Sequence, residues 1–107
     1  MPVIQENILH YKVDIRSGRF AANFPAYIHG YNKKDKHILT CVFFENLESV
    51  LPENKRVDAV VTMYFYMNKF SLVLDIFRNE SPLKIVYDTK GKDCTLITEL
   101  EPVGEGE

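Results

Sequence analysis

Period-two alternation of apolar and polar side chains constrains this chain more than any other feature of its sequence. Across residues 9–16, Leu9, Tyr11, Val13 and Ile15 fall on one face of an extended chain and His10, Lys12, Asp14 and Arg16 on the other. This predicts a strand with one face for a core and one for water. After the turn pair Ser17-Gly18, the alternation resumes through Phe20, Ala22, Phe24, Ala26 and Ile28 up to Gly30. Pro25 cannot donate to a ladder, so this second strand is expected to be an edge strand, or to bulge or break there.

A polar stretch, Asn32-Lys33-Lys34-Asp35-Lys36, leads into His37-Ile38-Leu39-Thr40-Cys41-Val42-Phe43-Phe44, which is apolar on both faces and predicts a central strand. Asn46 can cap one or two helical turns before Pro52 stops them. The rest reads as a meander: a strand over 58–67, a tight connection at Asn68-Lys69, a return strand over 70–77, then strands over 83–88 and 94–101. The fold class is therefore all-β, with about seven mostly antiparallel strands forming a small barrel or a two-sheet sandwich and at most one short helix near residues 46–52. Tight turns predict antiparallel neighbours and no parallel crossover. Three strands, an irregular link and further strands resemble the oligonucleotide/oligosaccharide-binding barrel in architecture; no motif carries the likeness, and a fold does not fix a function.

At 107 residues the chain is expected to form a single β-domain over 1–102, followed by a flexible acidic tail over 103–107. Thirteen basic against fifteen acidic residues give a net charge of −2, far from the basic balance of a protein living on nucleic-acid phosphates. The first residues lack the pattern of a secretory signal and no stretch is long and apolar enough to cross a membrane, which predicts a cytoplasmic protein. Cys41 and Cys94 sit inside strand candidates and read as buried thiols rather than a disulfide framework.

No signature of a catalytic, cofactor or metal site is present. His10, His29 and His37 lie on separate strands or strand ends without ligand spacing, and no serine-hydrolase or phosphate-loop motif occurs. Cys41 is embedded in apolar sequence, which suppresses a thiolate. Asp75 interrupts an apolar run with Arg78 and Glu80 nearby, and alternation places it on the solvent face of its strand.

The aromatic content is the most suggestive feature left. Tyr64 and Tyr66 share one strand face while Met63, Phe65 and Met67 point the other way, and Phe77 adds more apolar surface than one sheet face readily covers. Tyr27 and Tyr31 flank a loop rich in Lys33 and Lys34, a partial version of a base-stacking platform, although Asp35 dilutes it. The candidate binding residues are accordingly Tyr64, Tyr66, Phe77, Asp75, Arg78, Tyr27, Tyr31, Lys33 and Lys34. The leading reading is a non-enzymatic binding or assembly module, with a second copy of itself as partner, using an aromatic sheet face or a strand edge. A single-stranded nucleic-acid or oligosaccharide binder is the alternative, a further protein partner is open, and a small enzyme whose site is assembled from remote residues ranks last.

Overall fold

A computed structural model of the chain describes residues 3–17, 25–45, 48, 50–80 and 82–98. Eight strands, β1 (Val3–Ile8), β2 (His10–Ile15), β3 (Ala26–Tyr31), β4 (His37–Phe44), β5 (Lys55–Val57), β6 (Val60–Tyr66), β7 (Leu83–Asp88) and β8 (Cys94–Thr98), form two mostly antiparallel sheets. The small sheet has the order β1-β7-β8 and the large one β2-β3-β4-β6-β5. They pack as a sandwich and do not close into a barrel, so the all-β expectation holds in its two-sheet form. Among the described residues the one α-helix, α1 (Phe70–Asn79), follows a 3-10 turn at Met67–Lys69.

Two features tie the layers together. Only Leu9 separates β1 from β2, so the chain passes from one sheet to the other within a residue, and the Leu9 N–H donates to the Tyr31 carbonyl at 2.8 Å. On the far side, Asn54 donates from Nδ2 to the Lys92 carbonyl (3.2 Å) while its Oδ1 accepts from the Tyr64 N–H (3.3 Å), joining β6 to the β7–β8 turn. Between the layers lies one core of Ile8, Ile28, Leu39, Cys41, Phe43, Val61, Met63, Leu83, Ile85 and Tyr87, with Val73 and Phe77 entering from α1. Phe43 is its centre: fully buried, it stacks on Phe65 (ring centroids 5.4 Å apart) and meets Phe70 edge-on at 5.0 Å.

Several expectations are corrected. The 70–77 strand is a helix: Phe70, Val73, Leu74 and Phe77 stand at helical spacing, with Val73 and Phe77 buried. Leu72, which alternation would bury beside Leu74, is 59% exposed. There is accordingly no 58–77 hairpin, and the Asn68-Lys69 connection belongs to the 3-10 turn leading into the helix. The described helix does not fall near 46–52: Asn46, Leu47 and Ser49 lie outside the described residues, while Val50, Leu51 and Pro52 are not helical. A parallel pair does occur, β4 beside β6, because the connection through 45–59 is long enough to return the chain, and it carries β5.

The central placement of β4 is as expected. Strand β3 is internal rather than at an edge; Pro25 stands just before its first residue, where its carbonyl still accepts from the Arg16 N–H and its missing donor costs no bond within the strand. Strands β1 and β5 were not anticipated. The 20–24 part of the second expected strand and the 103–107 tail lie outside the described residues. No helix among the described residues is long and apolar enough to cross a membrane.

Candidate functional site

One face of the large sheet packs on the core; the other has no layer over it among the described residues. Register fixes what that outer face presents. Lys12, His29, Thr40, Thr62 and Lys55 stand opposite one another in a row across all five strands. A second row runs Asp14, Tyr27, Val42, Tyr64, and at the ends of the strands come His10, Tyr31 and His37 on one side, and Phe44 and Tyr66 on the other. The face therefore gathers four of the sequence-predicted residues, Tyr27, Tyr31, Tyr64 and Tyr66, all half-buried.

A β-bulge assembles its most ordered part. The β3–β4 register shifts at Gly30/Tyr31, leaving Ile38 as an extra residue in β4 that turns into the core. With that extra residue, His37 and Thr40 reach the same face although three positions apart, and bulges commonly re-aim a side chain in this way. The Thr40 Oγ1 lies 2.8 Å from His37 Nε2 and 3.5 Å from His29 Nδ1, and His37 Nε2 lies 2.9 Å from the Leu39 carbonyl. One proton arrangement serves all three contacts: His37 Nε2–H donates to the carbonyl and to Oγ1, and the Thr40 hydroxyl donates to His29 Nδ1. His29 is then a neutral acceptor. Burial, with His37 and Lys12 close by, pushes its pKa down from the ordinary 6.5, in keeping with that role.

The rings continue outward from this pair. His29 meets His37 edge-on at 5.2 Å and lies parallel to Tyr27 at 6.0 Å, and His37 lies 5.4 Å from Tyr31. The Arg16 guanidinium sits 4.4 Å from the centre of the Tyr27 ring and donates from Nη2 to Asp14 Oδ2 at 3.0 Å, which holds the Asp14 carboxyl below its ordinary value. This constellation of His29, His37, Thr40 and Arg16 was missed in the sequence, because a bulge and cross-strand register leave no local spacing to read.

The remaining candidates lie elsewhere. Lys33 and Lys34 stand on a loop that Asn32 organises, its Oδ1 accepting from the Lys34 and Lys36 N–H groups (2.9 and 3.0 Å). They line a depression of about 450 Å³ with Glu6, Asn7 and Leu9, and no tyrosine reaches it. Phe77 is in the core. Asp75 and Arg78 are exposed on α1, their charged atoms 3.9 Å apart, a surface pair that contributes little. Arg78 and Glu80 line a recess of about 160 Å³ with His10 and Tyr11, well short of the roughly 300 Å³ at which ligand pockets begin. Asp75 does not reach it. Both cysteines are unbridged; burial raises the Cys41 thiol strongly and pushes the half-buried Cys94 thiol up to about 12, so neither is a ready nucleophile.

The sheet's two edges differ. Edge strand β5 has three residues, two of them Lys55 and Arg56, the short charged kind of edge that resists pairing. Edge strand β2 has six. Leading into it and along its inner side, Leu9 (50%), Tyr11 (37%), Val13 (37%) and Ile15 (69%) remain exposed, although this is the side that faces the core elsewhere in the sheet. No family model, curated protein or solved structure matches this chain, and the reading of the site rests on its own chemistry.

Proposed function

We propose that the chain is a non-enzymatic binding and assembly module that works as a homodimer, two copies pairing along the edge of β2 that no described strand covers. The observation that carries this reading is the concentration of exposed apolar side chains there: of the nine large hydrophobics exposed among the described residues, Leu9, Tyr11, Val13 and Ile15 follow one another along that side, from just before the strand to its end. A six-residue edge without proline or bulge leaves its outward N–H and C=O groups as a template, and a second copy satisfies them while covering the apolar row. The free thiols of Cys41 and Cys94 suit a reducing, cytoplasmic setting. Sedimentation equilibrium at micromolar concentration tests the proposal. Wild type is expected at twice the chain mass of 12.4 kDa and the Val13→Lys variant at the chain mass; a monomeric wild type would overturn it.

A second reading has its own support in the outer face, where Tyr27, Tyr31, Tyr64 and Tyr66 lie between Lys12 and Lys55 at the ends of one row. Such a face suits stacking of single-stranded bases or sugar rings, with the cations following a backbone. Labelled oligonucleotides would then bind at low salt and release steeply as salt rises. Absence of binding at low salt would remove the nucleic-acid form of this reading.

A further inference from the structure

We infer that the two copies pair antiparallel with Val13 opposite itself, so that Lys12 of each copy faces Asp14 of the other. This register rests on the homodimer reading and deepens it.

The ladder with β3 decides which groups are free. Ile15 stands opposite Ala26, and the Arg16 N–H donates to the Pro25 carbonyl at 2.7 Å. Arg16, and by alternation Asp14 and Lys12, therefore direct their main-chain groups toward β3. Tyr11, Val13 and Ile15 direct theirs to the open edge. A two-fold axis perpendicular to the sheet keeps outer side chains with outer and apolar with apolar, whereas parallel pairing by an in-plane axis would set the apolar row against the charged one.

Charge then selects among the antiparallel registers. Centred on Lys12, the pairing sets two lysines against each other at a closely spaced, non-hydrogen-bonded position. Centred on Asp14, it opposes two carboxylates and places Lys12 against Arg16. Centred on Val13, it brings Lys12 against Asp14 twice and Tyr11 against Ile15 twice, with Tyr11, Val13 and Ile15 as the hydrogen-bonded residues. Centres nearer either end shorten the overlap and leave part of the apolar row uncovered. In the Val13 register that row becomes continuous across the two-fold and joins the core through Tyr11, whose ring lies 5.5 Å from Phe77. The two outer faces merge into one ten-stranded surface, with a Tyr27–His29–Tyr31–His37 cluster on each side of the axis.

Cysteine substitutions test the register, each adding a third thiol to Cys41 and Cys94. Val13→Cys, Lys12→Cys and Asp14→Cys are each oxidised with glutathione disulfide beside wild type, whose Cys41 is buried and whose half-buried Cys94 sets the background rate, and the covalent dimer is followed on non-reducing gels while light scattering reports the mass. Val13→Cys is expected to cross-link at least about tenfold faster than the other two, since only self-opposed residues bring their Cα atoms within disulfide reach. Fastest cross-linking by Lys12→Cys or Asp14→Cys would overturn the register and leave the dimer standing. A dimer by scattering in which none cross-links would place the interface elsewhere, and a monomer with no cross-linking would overturn both. A charge exchange provides the independent arm: Lys12→Asp and Asp14→Lys are each expected to weaken dimerisation about tenfold, and the double exchange to restore it. Failure of the double exchange to recover would contradict the Lys12–Asp14 pairing.

Discussion

Phe43 shows how one side chain can fix the relation between three elements. It belongs to the central strand, stacks on β6 through Phe65, meets α1 edge-on through Phe70, and is fully buried. Phe43→Ala is expected to cost about 3–5 kcal/mol, combining lost burial with an unfilled cavity, as read from denaturant unfolding with an unchanged m-value. His29 predicts a pH dependence. Its folded pKa lies below its unfolded value of 6.5, so the unfolded chain takes up the proton first as pH falls. The associated stability is present above about pH 6.5 and lost as pH drops through the folded pKa. Protonation there removes the acceptor for Thr40 and sets a second cation beside Lys12. Melting temperatures of wild type are expected to fall more steeply between pH 7 and 5 than those of His29→Gln; parallel curves would contradict the assigned tautomer. Gly30 has a steric role: a Cβ there would meet Ile8 Cγ2 at 3.2 Å, so any side chain would press on the small sheet where it approaches β3.

At the scale of elements, the β5–β6 hairpin carries a testable strain. Asp58 and Ala59 both have positive φ (52° and 69°), the two-residue turn whose twist matches its strands, and alanine is a poor fit for the second position. Ala59→Gly is expected to stabilise by up to about 1 kcal/mol, the relief of the left-handed cost less the added chain entropy, seen as a higher melting temperature. The same scale shows what the sequence made legible. Strands β4 and β7 could be read to their end residues because runs rich in β-branched and aromatic residues stand there between polar turn segments. The 70–77 segment could not, because Phe70, Val73, Leu74 and Phe77 satisfy the helical period while Leu72, Leu74 and Ile76 satisfy the strand period. Tertiary packing of Val73 and Phe77 into the core decided between them. For the site, the tyrosines of the outer face were legible as aromatic residues on strands, but their meeting with His29, His37 and Arg16 depends on a bulge and on partners remote in sequence.

For the whole molecule, the two sheets solve the problem of edges unequally. Within the large sheet, β5 is a three-residue charged edge, whereas β2 ends the sheet with its main-chain groups and an apolar row both unmet among the described residues. Dimerisation along β2 accounts for the row of Leu9, Tyr11, Val13 and Ile15 within one arrangement and leaves the aromatic outer face open for a ligand. Amide hydrogen exchange resolved by residue tests this claim most directly. Tyr11, Val13 and Ile15 amides are expected to be protected at high protein concentration and to lose protection on dilution, while Lys12 and Asp14, bonded to β3, stay protected throughout. Fast exchange at Tyr11, Val13 and Ile15 at every concentration would contradict the account.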